Sequence, residues 1–318
     1  MTLAADPNVL AASAEAIRHG SASFAAASRL FSAHTRESAV MLYAWCRHCD
    51  DVIDGQSLGH GQVDGDRDDA AERLAMLRSA ALRACRGGEA PDHVHAALAA
   101  VVKRHAIPER YPLELLEGFR MDVEGARYAS LDDTLRYCYH VAGTVGVMMA
   151  MVMGVRDERL LDRACDLGIA FQLTNIARDV VEDAAIGRVY LPADWLSQAG
   201  VPTESLQDPA HRAALATVVA RLLDAAEPYY ASARIGTRAL PLRSAWAVAA
   251  AHGIYRDIGT RVRALGPAAW DVRTRTSGAR KLARVGTGLL HGIVPGLGVV
   301  DRPTHLWTRP RTALTQPR

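Results

Sequence analysis

Apolar positions along this chain fall in helix-like stretches rich in Ala, Leu, Arg and Glu, and no run of alternating β-branched residues interrupts them. Those residues are strong helix formers, so the pattern predicts an all-α protein. The punctuation agrees. Thr35 is placed to cap a helix with Glu37 in its first turn, running to the break at Gly55. Asp68 to Arg86 reads as a charged amphipathic helix stopped by Gly87-Gly88. Pro91, Pro108 and Pro112 mark helix starts or loops, and Ser130 with Asp133 resembles a capping box opening a long segment that ends at Gly154. Further helices are expected over Asp157–Asp183, Asp208–Ile235, Pro241–Leu265 and Ala279–Leu290. Gly55 to Arg67, Ala184 to Ala210 and the tail from Val294 read as loops, the tail as a frayed one. No internal repeat stands out. The expected organisation is one helical domain over residues 1–290 and a flexible tail over 291–318.

Tyr137 to Val155 contains no Asp, Glu, Lys or Arg and approaches the length of a membrane span. His140, Thr144 and three glycines inside it, and the lack of a second such stretch, favour a buried central helix. Its Gly143, Gly146, Met148, Met149, Met151 and Met153 suit the wall of an irregular apolar cavity, because methionine adapts to shape.

Composition narrows the setting more than the chemistry. Lys and Arg number 37 against 35 Asp and Glu, which gives no general attraction for nucleic acid. Five cysteines in 318 residues are too few and too irregular for a disulfide framework, and point to a reduced compartment. Met1 to Val9 carries Asp6 and no basic residue, so no secretory signal is expected and the location is read as cytoplasmic.

The chemistry-bearing residues form two acidic sets. On a helix Asp50 and Asp54 are i,i+4 neighbours, with Arg47 and Tyr43 behind them. Like charges at that spacing destabilise a bare helix, and a hard divalent cation such as Mg²⁺ would offset them. Gln172, Asn175, Asp179 and Asp183 make a second polar stripe, on a helix whose other positions are largely apolar, with Arg178 beside it. Two such helices facing across a cavity would hold Mg²⁺ that grips a diphosphate, while Arg47 and Arg178 offer forked donors to phosphate. Ionisation of an allylic diphosphate needs this arrangement: the leaving group is stabilised as its charge develops, and an apolar pocket protects the carbocation. No nucleophile elbow, P-loop or dinucleotide fingerprint is present. Cys46 and Cys49 match a single CxxC, which without a second pair reads as buried thiols rather than a zinc site.

These residues resemble the squalene/phytoene synthase family, specifically its bacterial phytoene-forming branch. The resemblance rests on His19-Gly20-Ser21-Ala22-Ser23-Phe24, on Tyr43 through Asp54, and on Tyr137 through Gly146. It continues through Gln172–Asp183, Gly187 through Pro192, and Tyr255 with Arg273, and covers about residues 15–285. It implies a single-domain, all-α isoprenoid synthase fold with helices around a central cavity. By resemblance, Asp50, Asp54, Asn175, Asp179 and Asp183 hold Mg²⁺, with Mn²⁺ as a substitute. Arg47, Gln172, Arg178, Tyr255 and Arg273 bind diphosphate; Ser21, Ser23 and Tyr43 form the flap side. Tyr137 belongs to the substrate side, and Val141, Val145, Ala164, Leu167 and Phe171 line the prenyl channel. Ala22 stands where some relatives carry a lysine between the two serines.

The implied reaction joins two geranylgeranyl diphosphates head to head. The donor ionises, the C2=C3 bond of the acceptor attacks, and proton loss closes the cyclopropane of prephytoene diphosphate. A second ionisation, rearrangement and proton loss give phytoene, with tyrosines or diphosphate oxygens as proton acceptors and no NADPH. A C15 synthase making squalene or dehydrosqualene shares this chemistry, and cavity length separates the two. A DDxxD terpene cyclase or head-to-tail synthase fits the second motif less well, and a non-catalytic assembly factor would not need every motif carboxylate. An apolar C40 product and the Gly-rich apolar stretch Gly286–Val300 predict peripheral contact with the inner face of a membrane, alongside other carotenoid enzymes.

Overall fold

The computed structural model describes residues 27–54, 67–272, 274, 278, 283–288 and 300–311, and every regular element among them is helical. Helix α1 (Ala33–Asp54) starts after Ser32, whose hydroxyl accepts from the Thr35 amide at 3.3 Å and donates to the Thr35 hydroxyl at 2.9 Å. The cap is therefore Ser32 and not Thr35: it lies just outside the first turn, where the unpaired amides point. Helix α2 (Arg67–Cys85) ends as its glycines predict. Gly87 takes φ +75°, and the Gly88 amide reaches back to the Arg83 carbonyl at 2.9 Å. Asp92 caps α3 (His93–His105) by accepting from the amides of Val94 and His95, and α4 (Arg110–Val123) follows. The capping box of Ser130 and Asp133 opens α5 (Leu131–Cys138).

The long segment expected from there to Gly154 is helical but not uniform. Tyr139–Gly143 forms a π turn, in which the Thr144 amide bonds the Tyr139 carbonyl, before α6 (Thr144–Val152) resumes the α period. Asp157 then caps α7 (Glu158–Ala185), the longest helix of the described residues. The stretch read as a loop between Ala184 and Ala210 contains the short α8 (Ala193–Gln198). Helices α9 (Arg212–Thr237) and α10 (Leu242–Leu265) complete the shell, and residues 283–288 continue the last predicted helix. The loop expected from Gly55, apart from Arg67 at its end, lies outside the described residues.

Helix α7 is the centre, packed by the π turn, α6, α9 and α10. Its contact with the π turn and α6 is made backbone to backbone. A Cβ on Gly168 would lie 2.2 Å from the Ala142 carbonyl oxygen, and one on Gly146 would lie 2.3 Å from that of Ala164. On Gly143 it would meet the Cys165 Sγ at 2.9 Å. This is what Gly143 and Gly146 of the uncharged segment do, and among the described residues no helix is long and apolar enough to cross a membrane.

The tail departs from expectation. Residues 300–311 are strapped along the first turns of α7, where Glu158, Asp162 and Asp166 repeat at i, i+4 and i+8. Arg302 grips Asp166 at 2.7 and 2.8 Å, Arg309 meets Asp162 at 2.9 Å and also Glu158, and Arg311 reaches Asp162 at 2.5 Å. Leu306 is buried in the core, and the Trp307 amide donates to the Tyr229 hydroxyl at 3.1 Å. Fraying is prevented because each strap arginine satisfies a carboxylate that the helix buries or half-buries.

Two outcomes follow for stability. Gly168→Ala should cost about 3 kcal/mol, because a methyl is forced onto a main-chain oxygen that cannot move independently of its helix; denaturant unfolding measures it. Arg302→Ala leaves the Asp166 carboxylate, 0% exposed, without its cation and should cost about 3 kcal/mol near neutral pH. Burial already raises the Asp166 pKa against the pull of Arg302. The deficit of the variant should therefore shrink as pH falls and Asp166 takes up a proton, beginning at a higher pH than for a lost surface ion pair because burial raises the Asp166 pKa.

Candidate active site

A cavity of about 350 Å³ runs between α1, the π turn with α6, α7, α9 and α10. Every residue expected to line a prenyl channel does so: Val141, Val145, Ala164, Leu167 and Phe171. Along α7 the lining extends from Leu160 to Asn175, a rise of about 22 Å at the helical pitch. Phe31, Met149, Met153, Ala251 and Ile254 join it. Met149 and Met153 were among the residues suited to a cavity wall, whereas Phe31, Ala251 and Ile254 carry no such signal, because an apolar residue facing a cavity looks in sequence like one facing core.

Polar groups gather at one end, where Tyr43 of α1 and Gln172 and Asn175 of α7 line the same space. Tyr43 lies one turn before Arg47, and Asn175 one turn before Asp179, so both acidic sets continue along their helices from this end, the mouth of the cavity, each paired with an arginine. Arg47 pairs with Asp50 at 3.0 Å and with the buried Asp51 at 2.8 Å. Burial works against its charge, but Asp50 and Asp51 outweigh this and raise its pKa. On α7 the Arg178 guanidinium donates to both oxygens of Asp179, at 2.7 and 2.5 Å. Asp54 closes α1, so the register keeps it i,i+4 from Asp50.

Two groups in this mouth are left in conditions that a hard cation would relieve. The Asn175 side chain donates to Gln172 at 3.3 Å, while its Oδ1 is buried without a hydrogen-bond partner. Asp183 is pushed up to about 7, first by burial and then by the charge of Asp179, against the pull of Arg188. An all-oxygen donor set with one orphaned amide oxygen and one carboxyl held toward neutrality suits Mg²⁺ better than a transition metal.

Tyr255, read by resemblance as a diphosphate ligand, lines the cavity and stacks on Phe171 with ring centroids 4.0 Å apart. Tyr137 does not line it. Its ring stacks on Tyr190 at 4.5 Å, and both hydroxyls donate to one carboxylate, Asp122 of α4, at 3.0 and 2.9 Å. Tyr137 is thus a positioning residue of a buried tyrosine–aspartate cluster rather than a wall of the channel. Asp122 is the main omission of the sequence reading; its charge acts on Asp183, so it belongs to the electrostatics of the mouth. The signal was slight, one acid between Met121 and Val123 on an otherwise ordinary helix. Ser21, Ser23 and Arg273 lie outside the described residues. Burial raises the thiols of Cys46, to about 12, and of Cys49, which fits inert packing.

Comparison with known proteins agrees with this geometry. The Squalene/phytoene synthase profile matches residues 17–280. A phytoene synthase of Pseudescherichia vulneris is 52% identical over 96% of this chain and 99% of its own length. A 15-cis-phytoene synthase of Paracoccus sp. is 54% identical over 95% of this chain and 98% of its own. Among solved structures, a dehydrosqualene synthase in complex with ligand superposes with a TM-score of 0.78 at 28% identity, covering 88% of this chain and 95% of that one. A squalene synthase from Alicyclobacillus acidocaldarius, at 23% identity and TM-score 0.72, covers 81% of this chain and 94% of its own and shares the fold. With the acidic pairs, the glycine-packed π turn and the long cavity all in place, the chain belongs to the squalene/phytoene synthase family.

Proposed function

We propose that this chain is a phytoene synthase that condenses two geranylgeranyl diphosphates head to head and releases two diphosphates. The observation that carries the reading is the cavity: long, largely apolar, and lined at one end by Tyr43 and Asn175, each one turn before an arginine–carboxylate set on its own helix. Identity near half over almost the full length of the phytoene synthases it matches supports the C20 substrate over the C15 one.

Asp50, Asp54, Asn175, Asp179 and Asp183 would hold Mg²⁺, which when bound neutralises the diphosphate as it leaves. Arg47 and Arg178 are each paired with a carboxylate of these sets, and their forked guanidiniums would offer donors to phosphate oxygens. The apolar wall from Phe171 to Leu160 keeps water from the carbocation, and the stacked rings of Phe171 and Tyr255 offer it a π face. Tyr43 lines the cavity from α1, and its side chain would help to orient a proton-accepting oxygen there. Because the C40 product dissolves in lipid and not in water, the enzyme is also read as a peripheral partner of a membrane, working beside other carotenoid enzymes.

The purified protein incubated with Mg²⁺ and labelled C15 or C20 diphosphate, without NADPH, should convert the C20 substrate to a C40 hydrocarbon on product chromatography. A C30 product from the C15 substrate with no C40 product would replace the reading with the C15 one. Asp50→Asn and Asp179→Asn should each lower turnover about 10³-fold, and undiminished product from either would sink the metal assignment.

A further inference from the structure

Beyond the catalytic cavity, α9, α10 and residues 284–288 enclose a second hollow of about 460 Å³. Thr237 lines both spaces, so the hollow abuts the α9 wall of the apolar cavity. Its lining is cationic. Arg234 and Arg238 come from the end of α9, Arg256 from α10, and Arg284 from the chain beyond, with the hydroxyls of Thr260 and Thr287 between them.

The four arginines divide into two kinds. Arg256 is fixed by Glu227, at 3.0 and 3.1 Å, and Arg284 by Asp257, at 2.7 and 2.5 Å. These two are anchored walls. Arg234 and Arg238 make no hydrogen bond or ion pair among the described residues, and they leave the hollow with a net positive charge. The field is registered by His252, which donates to the Tyr230 carbonyl at 3.0 Å. Burial, and after it the charges of Arg256 and Arg234, hold its pKa below the ordinary range against that bond.

The hollow is also built rather than incidental. The Trp246 indole donates to the Val285 carbonyl at 2.6 Å. A Cβ on Gly288 would lie 3.0 Å from the Ala250 amide nitrogen, and one on Gly253 would lie 2.8 Å from Arg284 Cδ. The wall is thus seated directly on α10, and its arginine crosses that helix at Gly253, where no side chain stands in the way.

Forked guanidiniums with hydroxyls beside them match a phosphate group. Two features choose its source. The hollow shares a wall with a cavity that holds prenyl chains, and the sequence continuing from Gly288 carries no Asp, Glu, Lys or Arg from Leu289 to Val299. We propose that this arginine hollow binds the phosphate of an anionic membrane lipid and so seats the α9–α10 side of the prenyl cavity against the bilayer. The assignment rests on the peripheral membrane contact read above, and adds to it a site and a lipid class.

Co-sedimentation with vesicles of phosphatidylcholine alone, or with phosphatidylglycerol added, tests it on the full chain. The unaltered protein should bind the anionic vesicles and bind the neutral ones far more weakly. Arg234→Gln with Arg238→Gln should weaken the anionic binding about thirtyfold, from two arginines near a charged surface. Both side chains are solvent-facing or half-buried, so the melting temperature should stay unchanged, as should C40 synthesis in detergent. Equal anionic binding by the unaltered and variant proteins overturns the hollow but leaves membrane contact standing. Binding to neither vesicle overturns both. Variant-sensitive binding of free inorganic phosphate without vesicle binding assigns the hollow to a soluble anion and overturns the lipid. Product formation from the C20 diphosphate is read separately, so none of these outcomes is confused with failure of the catalytic reading.

Discussion

The architecture depends on one close approach, the main-chain contact of α7 with the π turn and α6 at Gly146 and Gly168. Helices separated by ordinary side chains stand 8–10 Å apart, roughly the room that large residues require. Here the absence of side chains at the crossing lets backbones touch, and the space saved at that point is recovered on either side of it. Val141, Val145, Ala164 and Leu167 flank the crossing and face the cavity. The π turn contributes as well: one extra residue in the turn rotates everything after it, so the two halves of the segment present different faces to α7.

Along α7 charge is kept to the ends. Glu158, Asp162 and Asp166 sit at the start and Asp179, Glu182 and Asp183 at the finish, with the intervening length apolar or amide-bearing. Each end is answered by arginine, but for different purposes. At the start the strap arginines meet carboxylates that are largely buried, and these pairs are fixed. At the finish the pair of Arg178 and Asp179 lies one turn beyond Asn175, which lines the cavity, and on another helix Arg47, paired with Asp50, lies one turn beyond Tyr43, which lines it too. Pairs beside open space are the ones that can exchange partners when a more highly charged ligand arrives. The helix is therefore rigidly tied at one end and chemically responsive at the other.

Much of this was legible in the sequence, because helix periodicity and capping are local. The acidic stripes, Arg47 and Arg178, and the five channel residues all follow from spacing along single helices or from motif resemblance; the structure places the five channel residues on one cavity and pairs each arginine with an acid of its own stripe. What was misread depended on partners far away along the chain. Arg302, Arg309 and Arg311 looked like scattered charges on a frayed end, because their carboxylates lie on a helix in the middle of the chain. Tyr137 was assigned to substrate because its motif is recognisable, whereas its hydroxyl is taken by Asp122 from another helix. The π turn left no trace, since a single inserted residue does not disturb an apolar run that lacks charges to betray its phase.

The strap also bears on the order in which the protein is made. Synthesis proceeds from the N-terminus, and α7 leaves the ribosome long before the arginines that neutralise its first turns. Until residues 302–311 emerge, Asp166 has Ser232 as its hydrogen-bonding partner but not its cation, and the helix at the centre of the fold carries an unbalanced buried charge. Final consolidation is thereby tied to the emergence of residues 302–311. A product truncated before its last residues would hold nearly all of the catalytic groups and still lack the charge balance that lets them settle, which makes it a natural substrate for quality control.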